Sequence, residues 1–481
     1  MTENKSLHAA KQRKQDEFYT PLETVEDELR HYRKHFKDAV VLCNCDDPFE
    51  SNFFKFFALN FNYLNLKKLI ATCYVDSPIA SGQMSLFDTE AEEEITKKPH
   101  KIVITEVNDV NGDGAFDMAD VEWLIQNDAN VLTQLEGDGD FRSDECKALM
   151  KEADIVVTNP PFSLFREYVG QLMEMDKKFL IIGNQNAITY KEIFPLLKDN
   201  MIWLGYRFGD MKFRVPDYYE PRETRYWVDE TGQKWRSLGN ACWFTNLDHT
   251  KRHESLDLFK LYDPEKYPHY DNYDAIEVGK VAEIPDDYEE CYLVPVKYKQ
   301  ELIDAGYEVG YERLNSKGEP CVTLSLSLSL SLSARNCSSR TDGVLQRRNG
   351  CSDNVSGQIQ SESVSSSGCR LHSCGSDNGE REDEAQSSKN VCRWKEALCT
   401  YLDSPSELEW CNGVMGVPIT FVDKYNPKQF EILNANDYRC NPNTPIKQHG
   451  LIKDKDGSIN GKPKYARIVI RRIQNREPLG A

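Results

Sequence analysis

At residues 154–165 the chain reads DIVVTNPPFSLF, and this stretch constrains the fold more than any other. Ile155, Val156, Val157 and Thr158 have the apolar, β-branched character of a buried strand. Pro160 and Pro161 follow at once, and neither can donate to a ladder, so the strand stops at Asn159. The turn is rigid and carries one amide, one aromatic ring and several carbonyls with no matching N–H.

Five further stretches have the same strand character: AVVLCN (39–44), LKKLIATCY (66–74), KIVITEV (101–107), KFLIIGN (178–184) and MIWLGY (201–206). Helix-like segments separate them, such as SLFREYVGQLMEM after the prolines. This alternation predicts a parallel, doubly wound α/β sheet, in which ligands sit beyond the carboxyl ends of the strands. The Asn-Pro-Pro-Phe turn is therefore expected to face a ligand.

A chain of 481 residues exceeds one ordinary core, so residues 1–206 are expected to form one domain among several. Residues 207–290 are mixed aromatic and charged, with a strand-like GNACWFTN at 239–246, and similar sequence resumes over 412–481. That last part is expected to end in a hairpin whose second strand carries Arg467, Arg471 and Arg472. Such a strand either follows a phosphate backbone or is a solvated edge guarded by charge. Residues 291–411 are read as a largely disordered Ser/Cys-rich insertion, with a small ordered unit around ELIDAGYEVGYERL (301–314).

The formal charge of −19 excludes a uniformly basic nucleic-acid coat and leaves room for a local basic stripe. No apolar run is long enough to cross a bilayer and the amino end has no signal core, so a cytoplasmic protein is expected. The 15 cysteines lack paired metal-site spacing and read as mostly reduced thiols; nine of them fall between 291 and 411.

Methylating an exocyclic amine conjugated with its ring is slow, because the nitrogen lone pair is delocalised. Two acceptors remove the difficulty. The Asn159 side-chain oxygen and the Pro160 carbonyl can each take one N–H, leaving the lone pair free to aim at a methyl donor. Pro161 stiffens the turn and Phe162 offers a stacking face. Phe18, Tyr19, Thr20 and Pro21 precede a helix that Thr20 or Pro21 begins, a place able to hold a small zwitterion. Asn44, Asp46 and Asp47 close a strand where acidic groups suit ribose hydroxyls or an ammonium. Asp138, Asp140 and Phe141 lie directly upstream of the substrate turn and suit an adenine amine and ring. DVNGDGAFDMAD supplies Asp109, Asn111, Asp113, Asp117 and Asp120 at calcium-loop positions, with a shorter aspartate where glutamate is usual, so a structural calcium ion is a second expectation.

Taken in order, EFYTP, VLCNCDDPFESNF, GDGDFRS, NPPF, GNACWFTN and GVMGVPITF resemble the EcoRI family of adenine-specific DNA methyltransferases, over roughly 10–290 and 412–475. The resemblance implies a Rossmann-like, S-adenosylmethionine-dependent methyltransferase sheet with an attached target-recognition region, 207–290 and 412–481, interrupted by the low-complexity insertion. It implies methylation of adenine N6 in double-stranded DNA, with the base flipped out of the duplex. Phe18–Pro21 would border the methionine end of the donor, Asn44, Asp46 and Asp47 its binding strand, and Asp138, Asp140 and Phe141 its adenine. Asn159–Phe162 would hold the target base. A companion restriction endonuclease and a monomeric enzyme belong to the same expectation. The chain departs from methyltransferases at large in lacking a glycine-rich turn at 43–48 and an acidic residue at the end of LKKLIATC. Two other readings stand beside this one: an acceptor that is RNA adenine or a protein glutamine amide, and a non-catalytic, calcium-organised binding relic.

Overall fold

A computed structural model describes residues 18–45, 51–72, 99–109, 120, 121, 123, 132–271, 273–307, 309–315, 317–325, 402, 407–433, 451, 452 and 457–473. Its largest element is a nine-stranded sheet. In chain order the strands are β1 (Val40–Cys43), β2 (Lys68–Thr72), β3 (His100–Ile104), β4 (Leu132–Gln134), β5 (Ile155–Thr158), β6 (Lys178–Asn184), β7 (Trp203–Arg214), β8 (Tyr226–Val228) and β9 (Lys234–Thr245). They lie in the order β4-β3-β2-β1-β5-β6-β9-β7, with β8 paired to β9.

β1 and β5 are buried at every position, and their side chains alternate between two cores as the pleat requires. Val40, Leu42 and Val156 join one core with Phe165, Tyr168, Val169 and Leu172 of the helix Phe165–Glu174. Val41, Cys43, Ile155 and Val157 join the other with Val25 and Leu29 of the helix Leu22–Leu29 and the phenylalanines of the helix Asn52–Leu59. Helices thus cover both faces, which is why these strands read as continuous apolar runs. Ser51 caps the helix after β1 by accepting from Phe54 N–H, and Ser143 caps Asp144–Glu152 by accepting from Cys146 N–H.

The six expected strands are all present, and two expectations about them are corrected. Only β2, β1, β5 and β6 run parallel; β3, β4, β9 and β7 are antiparallel additions to the two sides. The sheet also does not stop at 206. β9 slots between β6 and β7, with Ala241–Thr245 buried throughout, so the body built on this sheet runs to about Thr245.

Among the remaining described residues are two smaller sheets packed on the same core, besides a short hairpin. One contains Ile276–Glu277, Val414–Pro418, Arg467–Arg472 and Phe430–Ile432 in that order, with Leu451–Ile452 also on Arg467–Arg472. The other is antiparallel, in the order Glu312–Leu314, Pro320–Ser325, Glu290–Pro295, Glu409–Asn412. Gly413, at φ 66°, passes the chain from one to the other, and a β-carbon there would meet Glu290 N at 2.6 Å.

The unfolded insertion expected from 291 is therefore corrected at both ends. ECYLVP (290–295) is buried at four consecutive positions and pairs with strands on both sides, which a disordered segment cannot do. Residues 326–401 lie outside the described set. The hairpin expected at the carboxyl end is Ser458–Ile459 with Lys462–Pro463, turned by Asn460 and Gly461 at positive φ. The arginine strand is not its second arm. Among the described residues no helix is long and apolar enough to cross a membrane.

Candidate active site

The sheet changes direction between β1 and β5. The chain leaves β1 toward β2 on one side and returns to β5 on the other, the kind of switch point at which such sheets form a ligand crevice beyond the carboxyl ends. Cys43 and Asn44 stand on one lip, Thr158 and Asn159 on the other. Two hydrogen bonds fix the lips together: the Thr158 hydroxyl donates to the Asn44 carbonyl, and Tyr168 Oη donates to Asn44 Oδ1 at 2.5 Å.

Asn159 is 7 % exposed. Its Nδ2 donates to the Phe18 carbonyl at 2.5 Å and lies 3.5 Å from Thr20 Oγ1. An oxygen in that place would face a carbonyl oxygen, so chemistry fixes which way the amide points. Its Oδ1 is buried and has no hydrogen-bond partner. An orphaned acceptor costs about 1–3 kcal/mol, and at a crevice it marks where a donor belongs. The turn itself is held by Leu164 N–H, which donates to the Pro161 carbonyl at 2.9 Å.

The amino-terminal segment seals this corner. Tyr19 exchanges both backbone hydrogen bonds with Arg214 of β7 at 2.9 Å, and the Thr20 carbonyl accepts from Asn52 Nδ2 at 2.7 Å. Phe18 packs 5.5 Å from Phe162, 5.6 Å from Phe213 and 6.2 Å from Tyr219, ring centroid to centroid. Phe162 is 8 % exposed, so Phe18 already covers it. The helix begins at Leu22 with Pro21 as its cap residue, and the Thr20 hydroxyl faces Asn159 instead of capping.

The other expected donor residues divide. Both oxygens of Asn44 are taken by Thr158 and Tyr168, so Asn44 positions the lip and offers no free oxygen. Asp46 and Asp47 lie outside the described residues. Asp138 is exposed and accepts from Asp140 N–H, whereas Asp140 is paired with Arg142 at 2.5 Å. Phe141 is 6 % exposed, with its ring 5.0 Å from Tyr168 and the Arg142 guanidinium 5.4 Å from its centroid. Its ring is thus a wall of the crevice, not the open stacking face expected.

Tyr168 is the residue that reading the sequence missed. It is fully buried, which pushes its hydroxyl well above the ordinary tyrosine range and keeps it a donor. Gln171 on the same face donates to the Phe141 carbonyl at 2.9 Å. Two polar side chains on the apolar stripe of an amphipathic helix were the available signal.

The arginine strand is corrected outright. Arg467 pairs with Glu277 at 2.6 Å, Arg471 with Glu431 at 2.6 Å and Glu290 at 3.4 Å, and Arg472 with Asp286 at 2.7 Å. Their strand is central, bonded on both sides, so it is not an edge, and its arginines already face carboxylates of this chain. Of the expected calcium ligands Asn111, Asp113 and Asp117 lie outside the described residues. Among the described residues, Asp109 and Asp120 included, no group of three or more candidate ligands occurs.

The family described as adenine-specific methyltransferase EcoRI matches residues 6–318 and 405–473. The type II methyltransferase M.EcoRI of Escherichia coli is 46% identical over 314 residues, which cover 64% of this chain and 88% of the relative. M.MpnI of Mycoplasma pneumoniae and M.MgeORF184P of Mycoplasma genitalium are 35% and 34% identical over 298 residues, 61% of this chain and 81% of each relative. No solved structure matches.

Proposed function

The chain belongs to the EcoRI family of adenine-specific methyltransferases, and from that premise we propose that residues 159–162 hold an adenine of duplex DNA while its N6 amine is methylated. The family methylates DNA adenine with S-adenosylmethionine. The observation that carries the residue assignment is Asn159 Oδ1, a buried acceptor without a donor at the end of β5. It fits one N–H of the amine, and the rigid Pro160 carbonyl fits the other.

When bound, S-adenosylmethionine supplies an electrophilic methyl group on a sulfonium leaving group. The chain's part is to place and prepare the amine. Accepting both N–H bonds concentrates the lone pair on nitrogen and points it along one line. The Phe18 carbonyl holds the Asn159 amide so that its oxygen cannot rotate away. Phe162, packed behind Phe18, stiffens the wall of this corner. No side chain is needed as a base, because the methylated nitrogen sheds its extra proton to water. A paired adenine cannot reach this corner, so the base leaves the helix first.

Residues from about 248 to 325 and 407 to 473, which build the two smaller sheets, are assigned to target recognition, with a companion endonuclease and a monomeric enzyme as parts of the same proposal. The type II names of the relatives support the restriction-modification setting.

The test is transfer of labelled methyl from S-adenosylmethionine to duplex DNA, RNA and protein offered separately. Duplex DNA alone is expected to be labelled, at adenine. Asn159→Ala is expected to lower turnover about 10²–10³-fold, the cost of one acceptor aimed at a reacting centre, with donor binding intact. Normal labelling by that variant, or preferential labelling of RNA or protein, overturns the assignment.

A further inference from the structure

A second constellation lies away from the β1–β5 crevice. Cys291 and Cys411 sit directly opposite each other on neighbouring antiparallel strands, Glu290–Pro295 and Glu409–Asn412. Both are free thiols, 0% and 6% exposed. Directly opposed residues have Cα atoms about 4.5–5.5 Å apart, within the roughly 4.4–6.8 Å that a disulfide spans.

The two sulfurs are not equivalent. The Cys291 thiol, the Arg313 guanidinium and Gly413 N–H all lie beside Cys411 and favour its thiolate. Arg313 is 7 % exposed, donates to the Asp287 carbonyl at 3.0 Å, and lies 4.9 and 5.0 Å from the ring centroids of Tyr262 and Tyr288. Its Nε is buried without a partner. A buried cation so placed favours anions beside it, and Cys411 is one such group, alongside Glu289 and the Asp274 and Glu409 carboxylates that share a cavity with it. The Cys411 thiol is accordingly drawn well below the ordinary thiol range, by the Cys291 hydrogen bond above all and then by Arg313. Cys291 is pushed up and keeps its proton. Cys411, Arg313, Tyr262, Tyr288, His269 and Asn412 line a cavity of about 520 Å³, ample for a small molecule.

We propose that Cys411 is an oxidation site for a small peroxide, with Cys291 as the resolving thiol that converts it to a cross-strand disulfide. The Cys411 thiolate attacks one oxygen of hydrogen peroxide; an S–O bond forms, the O–O bond breaks, and the departing hydroxide takes a proton to become water. The Cys291 sulfur then attacks the Cys411 sulfenic acid; the S–S bond forms, the S–O bond breaks, and the Cys291 proton leaves with the hydroxyl as a second water. Two thiols are oxidised by two electrons and one peroxide is reduced. None of these residues takes part in the methyl-transfer site, so the chemistry is additional to it.

The test exposes the full-length chain to hydrogen peroxide with dimedone present or absent, followed by alkylation and peptide mass mapping without reductant. Cys411 is expected to react at least about ten-fold faster than Cys242, which is also buried but has its thiol pushed up with no cation beside it. Without dimedone the main product is a Cys291–Cys411 linked peptide lighter by two hydrogens. Cys291→Ser is expected to leave a dimedone adduct on Cys411. Arg313→Met is expected to slow Cys411 alone, with Cys146 as the internal reference. The wild-type mapping decides the matter even if a variant fails to fold: Cys411 reacting no faster than Cys242, or pairing with another cysteine, overturns the proposal.

Discussion

Glu28 offers the sharpest numerical test of how the amino-terminal helix is anchored. Its carboxylate is completely buried and accepts from Tyr206 N–H at 2.6 Å, Arg207 N–H at 2.7 Å and Tyr32 Oη at 2.9 Å. Gly205 makes room for it; a β-carbon there would lie 2.5 Å from Glu28 Oε1. Burial is the largest influence and outweighs those hydrogen bonds, raising the carboxyl from an ordinary 4.5 to about 7. Between these two values the folded chain binds a proton that the unfolded chain has released, so stability falls as pH rises. At about 1.4 kcal/mol per pKa unit, the shift corresponds to about 3 kcal/mol, present in full below pH 4.5 and lost by the time pH passes about 7. Glu28→Gln removes the titration and replaces one acceptor with a donor, a pH-independent cost of about 1–3 kcal/mol. Urea unfolding of both proteins at about pH 4.5, 6 and 8 measures the difference between them. The advantage of wild type over the variant is expected to shrink by about 3 kcal/mol across that range. A difference that stays constant would refute the reasoning, because it would mean that burial leaves the Glu28 carboxyl titrating as it does in the unfolded chain.

Two further outcomes follow from the buried pairs. Arg467→Met leaves Glu277, 7% exposed, without its cation and is expected to cost about 3–5 kcal/mol in urea unfolding, while the salt dependence of DNA binding stays unchanged. A shallower salt slope would restore Arg467 to the DNA surface. Tyr168→Phe removes the donor to Asn44 Oδ1 and is expected to raise the KM for S-adenosylmethionine about five- to ten-fold with kcat held, in steady-state kinetics at saturating DNA. A fall in kcat instead would place Tyr168 at the reacting centre.

Much of the sheet was readable because its strands carry their burial in their composition. VVLC and IVVT, buried on both faces, can hardly be anything but central strands, and the prolines at 160 and 161 mark the end of β5 to the residue. Strand order is less visible. β9 reads as a strand, yet nothing local says that it pairs with β6 and not with a neighbour in a separate domain. The arginines misled for a related reason: Glu277 lies 190 residues from Arg467, so the sequence displays the cations without the carboxylates that neutralise them. At the site, Asn159 and its prolines were legible as chemistry. Thr20 was not, since a hydroxyl before a helix looks like a cap until tertiary structure turns it toward Asn159. Cys291 and Cys411 are 120 positions apart and become partners only through strand register.

That register has a bearing on how this chain accommodates extra sequence. The family match passes over residues 319–404, and the strands on either side of most of that interval, Pro320–Ser325 and Glu409–Asn412, are both zipped to Glu290–Pro295, which precedes it. The template is thus laid down before the interruption begins. Lengthening a connection from a few residues to several tens adds only about 2 kcal/mol of closure entropy, since the cost grows with the logarithm of length. Five paired positions on one side of Glu290–Pro295 and four on the other stand against it. Added sequence at that point leaves every ladder intact.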